Sequence, residues 1–268
     1  MRSVVVVLLA VLVPAGSAVA ARQRPWRPHV RAAAHWAAAR QGAVSFSVRT
    51  ERRRWGMDAR RGVPSASVLK AMLLVAYMRR PEVRSRPLRP ADRRLLAPMI
   101  RRSDNVAATR VRNIVGDGGL VALARRARMR GFRPAPVWGL SRIDAADQTR
   151  FFLHVDRFMP RRHRRAGMRL LRTIVRSQRW GIGRVRPPGW ALYFKGGWGS
   201  GTGAVDHQVA LLRRGRRRVA VAVMTTSSPS HAYACATLRA VFGRLLRGLG
   251  PGSRVPRAPR VPWGGPAG

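Results

Sequence analysis

The chain has 268 residues, of which 54 are Lys or Arg and only 10 are Asp or Glu, so its formal net charge is +44. This length allows one compact domain or two small ones, and a hydrophobic fraction of 46% is enough to build a sizeable core. These values exclude a collagen, a coiled coil and a fully disordered chain. The single cysteine, Cys235, excludes an internal disulfide framework and a cysteine-based zinc or iron–sulfur cluster.

The beginning of the sequence has the pattern of an export signal. Arg2 precedes an apolar run over 4–13, and an Ala-Val-Ala cleavage sequence ends at Ala20. The apolar run is shorter than the ~20 residues that a membrane-spanning helix needs. We therefore predict a signal peptide over 1–20 and a secreted or cell-envelope protein that begins at Ala21 and has no stable membrane anchor. An uncleaved anchor is the alternative.

Hydrophobic periodicity divides the rest of the chain into a helix and a strand, a helical middle, and then strands and a final helix. The predicted elements, in chain order, are a helix at 28–41, a strand at 43–48, helices at 67–79, 90–100, 105–115, 119–130, 145–158 and 162–177, strands at 190–195, 205–212 and 218–225, and a helix at 230–247. This order favours an α+β fold, an α/β sandwich in which both chain ends form one antiparallel sheet with flanking helices. An all-helical subdomain at about 67–185 is inserted into a domain that spans 21–247. The Pro-, Gly- and Arg-rich segment 248–268 is predicted to be a disordered tail.

The positive charge of the chain is almost entirely arginine, since lysine occurs only at Lys70 and Lys195. Arginine is spread over the whole sequence, whereas a dedicated nucleic-acid-binding protein concentrates its charge on one stripe and interleaves aromatic residues. A coding bias toward arginine therefore explains the composition better than a specific nucleic-acid partner, although nonspecific contact with anionic wall polymers stays open. Because arginine is used wherever a cation suffices, the two lysines mark positions that require a compact amine able to lose its proton.

Ser67 and Lys70 are the first candidate catalytic pair. Positions i and i+3 of a helix share one face, so the hydroxyl and the amine are expected to be neighbours. Ser67 begins the predicted helix, where free N–H groups and the helix dipole favour developing negative charge. Apolar residues surround Lys70 in the sequence, and burial lowers the pKa of a lysine, which makes it a general base able to activate the serine. A helix cap and a solvated lysine are the alternative interpretation.

The second motif is Ser103-Asp104-Asn105, which lies between two predicted helices. A helix cap followed by a turn is a common use of all three residue types, and it is the structural alternative here.

The third motif begins at Lys195, which ends a predicted strand and precedes a glycine-rich segment containing Gly197 and Trp198. A flexible hairpin with a solvated lysine is the alternative. A dinucleotide-binding fingerprint is excluded, because it requires a helix after the strand and another strand follows here.

The serine–lysine helix, the Ser-Asp-Asn motif and the strand-borne Lys-x-Gly occur in the order typical of the penicillin-recognising serine hydrolases. From about residue 28 to residue 247, the sequence most closely resembles the class A serine β-lactamases. The resemblance implies an exported serine hydrolase that opens β-lactam amides through an acyl-enzyme, as part of an antibiotic response, without a metal or another cofactor.

The resemblance also implies catalytic roles for three side chains. Ser67 would be the acylated nucleophile, and Lys70 would be its partner in proton transfer. Ser103 would relay a proton to the leaving nitrogen.

The substrate-binding residues implied by the resemblance come from the second and third motifs. Asn105 would hold the amine of the catalytic lysine and a substrate amide, and Lys195 would place a positive charge near the substrate carboxylate. Gly197 belongs to the same set, and the backbone N–H group of Trp198 would form the oxyanion hole together with that of Ser67.

The sequence departs from the class A pattern in two ways. Gly196 replaces the usual hydroxyl residue after the strand lysine, and Ser200 and Thr202 are the candidate substitutes. Class A enzymes also use a glutamate after the Ser-Asp-Asn loop to activate the deacylating water, but the corresponding stretch, 134–144, contains none.

The missing glutamate predicts that the acyl-enzyme turns over slowly. Asp144 and Asp147 are the nearby carboxylates, and their spacing is more typical of the start of the next helix. The substitute base would then be Lys70 or, as the weaker candidate, Asp144.

Other functions are less well supported by the sequence. It contains no G-x-S-x-G and no H-E-x-x-H motif, its six histidines show no metal-ligand spacing, and Cys235 is expected to be a small buried residue of the last helix. Two alternatives remain. One is a penicillin-binding or DD-peptidase-like protein that acts on cell-wall peptides, and the other is a non-catalytic basic module that binds polyanions.

Overall fold

A five-stranded antiparallel sheet forms the centre of the computed structural model, which describes residues 25–199 and 204–258. The strands in chain order are β1 (Ala43–Arg49), β2 (Arg54–Met57), β3 (Val63–Pro64), β4 (Arg142–Ile143), β5 (Ala191–Gly199), β6 (Val205–Arg214) and β7 (Arg217–Thr226). The large sheet has the order β2-β1-β7-β6-β5, and β3 and β4 form a separate two-stranded pair. Both chain ends therefore contribute to one sheet, as the sequence predicted.

Helices lie on the sheet and fill the middle of the sequence. They are α1 (Val30–Ala38), α2 (Leu69–Arg79), α3 (Pro81–Arg84), α4 (Pro90–Arg101), α5 (Asn105–Arg126), α6 (Ala145–Leu153), α7 (Val155–Phe158), α8 (Arg164–Arg172) and α9 (His231–Leu245). Helices α1 and α9 pack on each other, α9 also packs on β6 and β7, and α6 packs on β1, β6 and β7. Because all the inner residues of β7 are buried, both faces of the sheet are covered. No helix in the described ranges is both long enough and apolar enough to cross a membrane.

Helix α2 is the central helix of the helical subdomain. Its sequence, LKAMLLVAYMR, has no polar face, and all of its residues except Arg79 are buried. It packs against α4, α5 and α8. A helix that is hydrophobic all round can only be a core helix, and Lys70 enters this core at the first turn of α2.

The order of elements agrees with the prediction, but several boundaries differ. Helix α5 joins the two helices predicted at 105–115 and 119–130 but ends at Arg126, and Gly116 (φ 67°, ψ 172°) breaks its helical geometry between them. The helix predicted at 145–158 is divided into α6 and α7. Strand β2 was missed because it has only four residues, and its alternation of exposed and half-buried side chains is too short to distinguish a strand from a loop.

The prediction of a disordered tail is wrong for residues 248–258. Leu249 and Val255 are buried, and the backbone N–H of Ala258 donates to the carbonyl oxygen of Arg216 at 3.0 Å. Trp26 fastens the segment from the other chain end, because its backbone N–H donates to Arg254 O at 3.1 Å. A few apolar side chains and backbone pairs thus order a segment whose composition is mainly Pro, Gly and Arg. The predicted signal peptide and residues 259–268 lie outside the described residues.

Candidate active site

Ser67 lies in a 3₁₀ turn, Ala66–Val68, that runs directly into α2. Ala66 has a positive φ of 42°, a conformation that a residue with a side chain rarely adopts. The strained turn places Ser67 at the N-terminus of α2, as the sequence predicted, and leaves its side chain at the wall of a pocket. Backbone strain of this kind persists where the surrounding structure imposes it, and it is common at functional sites.

Lys70 is fully buried one turn after the serine. Its Nζ donates to the carbonyl oxygen of Ser103 at 2.5 Å, to Asn105 Oδ1 at 2.7 Å and to Ser103 Oγ at 3.2 Å. Within the described residues these atoms, and not the hydroxyl of Ser67, are its hydrogen-bond partners. Hydrogen bonds between a nucleophile and its base often tighten only when substrate is bound.

The Ser-Asp-Asn motif connects α4 to α5. It contains a helix cap, as the structural alternative predicted, and it also contributes side chains to the candidate site. Asp104 is a helix cap, because its Oδ1 accepts a hydrogen bond from the backbone N–H of Ala107 at 2.7 Å. Ser103 and Asn105, on either side of it, bind Lys70 instead. Ser103 has a φ of 60°, so its backbone is held in the left-handed region at the point where its carbonyl and hydroxyl oxygens both face lysine.

Lys195 is buried in β5 and reaches the same serine. Its Nζ donates to Ser103 Oγ at 3.0 Å and to the carbonyl oxygen of Gly196 at 2.7 Å. The Ser103 hydroxyl therefore lies between the only two lysine amines of the chain, and neither lysine is solvated. The structure brings together Lys70, Ser103, Asn105 and Lys195 as the sequence predicted.

Burial changes the protonation of both amines. Desolvation lowers the pKa of Lys70 to about 7, and the charge of Asp104 only partly opposes this effect. Desolvation also lowers the pKa of Lys195 well below its usual range, and the neighbouring charge of Lys70 lowers it further. A neutral lysine is thus available at neutral pH, which general-base catalysis requires.

Gly197 allows β5 to approach the 3₁₀ turn that carries Ser67. A Cβ atom at this position would lie 2.7 Å from the backbone nitrogen of Ser67 and 2.8 Å from that of Val68, closer than side chains tolerate. Trp198, the next residue, is 38% exposed and lines the same pocket as Ser67. The backbone of β5 and the start of α2 therefore meet where the predicted oxyanion hole requires them to meet.

The pocket beside Ser67 has a volume of about 460 Å³. It is lined by Ala66, Ser67, Ser103, Asn105, Thr109, Val137, Trp138, Gly139, Trp198 and Gly199. None of these described residues carries a carboxylate. Ser200 and Thr202, the candidate replacements for the hydroxyl missing at position 196, lie outside the described residues.

Trp138 faces Lys70 in the pocket, a contact that sequence reasoning missed. Its ring centre is 4.9 Å from Lys70 Nζ, and its Nε1 donates to Thr109 Oγ1 at 3.1 Å. The hydroxyl of Ser65 donates to the carbonyl oxygens of Trp138 and Gly139. These bonds connect the segment around Trp138 to the 3₁₀ turn that carries Ser67. The only sequence signal was a large aromatic residue in the stretch where the family carries its glutamate.

Asp144 and Asp147 begin helix α6, as their spacing indicated. Asp144 Oδ1 accepts from the backbone N–H of Asp147 at 2.7 Å, and Asp147 accepts from Arg60 and from the backbone N–H of Gly131. Arg60 also lies 3.5 Å from Asp144. Both carboxylates are buried in this network and neither lines the pocket, so the suggestion that Asp144 is a substitute base is wrong.

The structure also gathers three residues that the sequence left apart. Asp206 on β6 approaches His231 and Cys235 on α9. Cys235 is half-buried and contacts His231, so the expectation of a small buried core residue is wrong. His231 and Cys235 are four positions apart, which places both on one face of α9, a spacing that sequence reasoning missed.

The fold and the site together define a serine hydrolase in which a helix-borne Ser-x-x-Lys, a Ser-Asp-Asn turn and a strand lysine converge on one pocket. The chain belongs to the beta-lactamase enzyme family, whose model matches residues 84–246. The matched segment contains Ser103, Asn105 and Lys195 and begins after Ser67 and Lys70. None of the curated proteins matches the sequence significantly.

Solved β-lactamases are similar in fold. The β-lactamase from Sphaerobacter thermophilus DSM 20745 aligns with a TM-score of 0.69 and 19% identity over 81% of this chain and 96% of its own. The ancestral GNCA class A β-lactamase aligns with a TM-score of 0.67 and 19% identity over 81% and 98%. A β-lactamase from Xanthomonas campestris pv. campestris str. ATCC 33913 aligns with a TM-score of 0.65 and 17% identity over 80% and 94%. At these identities the similarity establishes the architecture and no individual residue role.

Proposed function

We propose that this serine hydrolase is acylated by β-lactams at Ser67 and releases the acyl group slowly. One observation carries the proposal. Ser67 and Ser103 line the pocket and the buried amine of Lys70 contacts Ser103, but the described residues that line the pocket include no carboxylate.

Acylation needs a base, a proton relay and charge stabilisation. Lys70 takes the proton of the Ser67 hydroxyl as Ser67 Oγ bonds to the carbonyl carbon of the lactam, and the C–N bond then breaks. The proton reaches the departing nitrogen through Ser103 Oγ, which lies 3.2 Å from Lys70 Nζ. Backbone N–H groups of Ser67 and Trp198 stabilise the developing oxyanion, and each such donor is worth ~2.7–4 kcal/mol in enzymes.

Deacylation needs a second base that activates water. General-base catalysis contributes ~10²–10⁴-fold to a rate, so its loss is large. Asp144 and Asp147 are engaged with Arg60 and do not line the pocket, and the ring centre of Trp138 lies 4.9 Å from Lys70 Nζ. Lys70 remains as the base for deacylation, and its proximity to that ring restricts the space for water.

Rapid mixing with a chromogenic β-lactam tests this proposal, together with intact-mass detection of the adduct. We expect a stoichiometric burst followed by a slow steady state, and an adduct that is lost in Ser67→Ala. Ser85→Ala, on the surface after α3, is the matched control and should keep both. Rapid linear hydrolysis without a trapped adduct would show that another group supplies the base.

A cell-wall peptide is the second candidate substrate, because the rim of the pocket and its surroundings carry exposed apolar side chains. Val137, Leu140 and Trp198 are large apolar side chains that are between 38% and 61% exposed. Such a rim suits a peptide longer than a small antibiotic. Release of D-alanine from a D-Ala-D-Ala peptide, dependent on Ser67, would favour this candidate over a β-lactam as the natural substrate.

Nonspecific contact with anionic wall polymers is supported by the face of α8. A cavity of about 520 Å³ there is lined by Arg161, Arg164, Arg165, Met168, Arg169, Arg172, Tyr193 and Arg213. Such a concentration of guanidinium groups attracts polyanions through charge, in a salt-dependent manner. Retention of the protein on an anionic wall preparation should therefore fall as salt is raised, without any change in Ser67 acylation.

A further inference from the structure

A second cluster of reactive side chains lies beside Trp198, outside the acylation machinery. The imidazole Nδ1 of His231 is 2.5 Å from Asp206 Oδ1, and its Nε2 is 3.5 Å from Cys235 Sγ. One donor atom from each of the three residues lies within 4.8 Å of the other two. These contacts join strand β6 to the first two turns of α9.

The cluster is held in place from several sides. The Asp206 side chain is only 6% exposed, and its backbone carbonyl oxygen accepts from Thr225 Oγ1 at 2.8 Å. The ring of His231 packs edge-on against Trp180 at 5.4 Å and lies 6.1 Å from the ring of Trp198. Yet the His231 side chain is 49% exposed, so the cluster is open to solvent.

The donor atoms determine which ligand would suit this arrangement. A thiolate, an imidazole and a carboxylate together favour a borderline cation such as Zn²⁺ or Co²⁺ over Mg²⁺ or Ca²⁺, which prefer oxygen alone. In a tetrahedral zinc site the ligand atoms are separated by ~3.3–3.8 Å, given metal–ligand distances of about 2.0–2.3 Å. The sulfur of Cys235 lies 3.5 Å from His231 Nε2, which is within this range, and 3.9 Å from Nδ1, which is just beyond it.

We propose that Asp206, His231 and Cys235 form a binding site for one Zn²⁺-like divalent cation. The site lies beside Trp198, which lines the pocket next to Ser67. The cation replaces the hydrogen bond between Asp206 and His231, whose atoms move slightly apart. It also replaces the thiol proton of Cys235, which passes to water, while the imidazole stays neutral and keeps its proton on the ring nitrogen that does not bind the cation. The exposed side of His231 leaves a fourth position for a water molecule. The site shares no side chain with the residues proposed to acylate Ser67. Cation binding can therefore be tested independently of β-lactam acylation.

Alkylation of Cys235 gives a clean test, because it is the only cysteine in the chain. One iodoacetamide adduct per molecule is measured by intact mass, with and without Zn²⁺, on the full mature protein. We expect saturating Zn²⁺ to slow alkylation at least about tenfold, because a sulfur atom bound to the cation cannot attack the reagent. Mg²⁺ should have no effect.

Variants distinguish this site from a general effect of zinc. His231→Gln and Asp206→Asn should lose the protection by Zn²⁺, whereas His29→Gln, at the exposed start of α1, should keep it. Equal protection in all three variants, or no protection in the parent protein, would overturn the proposal.

Cobalt gives a second measurement that does not depend on alkylation. One equivalent of Co²⁺ should produce a thiolate-to-cobalt charge-transfer band, and this band should be absent in Cys235→Ser, which is nearly the same size. A parent protein that shows no such band with saturating Co²⁺ would also refute the site.

Discussion

Ser103 is the residue that connects the two lysines of the site. Its hydroxyl is within 3.2 Å of Lys70 Nζ and 3.0 Å of Lys195 Nζ, and its carbonyl oxygen accepts a third hydrogen bond from Lys70. Two ammonium groups this close and this deeply buried repel each other. The two amines therefore favour a state in which at least one of them is neutral, and Ser103 can pass a proton between them.

Acylation of Ser67 should depend on pH through Lys70. Burial lowers the pKa of Lys70 from the ordinary lysine range to about 7, so the neutral amine that acts as base predominates above pH 7 and is lost below it. The acylation rate constant should fall about tenfold for each pH unit below 7 and level off above. Labelling with a fluorescent penicillin between pH 5 and 9 measures the profile. A rate that does not change over this range would exclude Lys70 as the base.

Lys70→Arg should abolish acylation although it retains a cation. A guanidinium cannot give up its proton in a protein, so the base is lost and the rate should fall at least ~10²-fold. Arg79→Lys, the reciprocal exchange at the other end of α2, is the matched control and should acylate normally. Circular dichroism would establish that both variants are folded. If a folded Lys70→Arg variant acylates at the rate of the parent, the proposed role of Lys70 is incorrect.

At the scale of elements, α5 is two helical segments joined at one glycine. Gly116 adopts φ 67° and ψ 172°, which is accessible to glycine and strained for any residue with a side chain. The sequence predicted a break in the right place because two turn-forming residues follow. It could not show that the chain resumes its helix directly afterwards, since that depends on the packing of both segments.

Two neighbouring glycines allow this interpretation of α5 to be tested. Nothing lies within 4 Å of a Cβ placed at Gly116 or at Gly118, so space does not distinguish them. Gly116→Ala should lower the free energy of unfolding by ~1–3 kcal/mol through backbone strain. Gly118→Ala should leave it unchanged or raise it by up to ~1 kcal/mol, because alanine favours the helix. Urea unfolding measures both, and equal effects would show that Gly116 is not strained by its backbone conformation.

At the scale of the whole molecule, we propose that the protein is exported. Trp26 contacts the segment after α9, because its Nε1 donates to the carbonyl oxygen of Arg247 at 3.1 Å. Cleavage after Ala20 would therefore remove the apolar run and leave the domain intact. The mature protein would carry a net charge of +43, because Arg2 is the only charged residue removed.

Sequencing the N-terminus of the extracellular protein tests export. We expect the mature chain to begin at Ala21, since the Ala-Val-Ala sequence provides the small residues that cleavage requires. Ala20→Arg should block processing and keep the protein with the cells, whereas Ala15→Ser, upstream of the cleavage sequence, should be processed normally. A protein found outside the cells that retains Met1 would contradict the prediction.

The sequence by itself determined the local order and the chemical inventory of this protein. Helix and strand periodicity depends on residues two to four positions apart, so the alternation of helices and strands could be predicted from it. The scarcity of lysine in an arginine-rich chain singled out Lys70 and Lys195 before any contact was known. The absence of a glutamate from 134–144 could also be seen in the sequence, because identifying the residues of a short stretch does not require knowledge of the fold.

Only the tertiary structure decided which of these groups meet. Ser103 and Lys195 are separated by 92 positions, and Trp138 reaches Thr109 from a loop whose partners no short-range pattern reveals. The same limit applies to Asp206 and His231, which are brought together by the packing of α9 on the sheet. Contacts across such distances arise when apolar surfaces pack in one register, and a polar pair between them is a consequence of that packing. The reactive groups could therefore be identified from the sequence. Their distances, their burial and the pKa of Lys70 depend on the packing of the core.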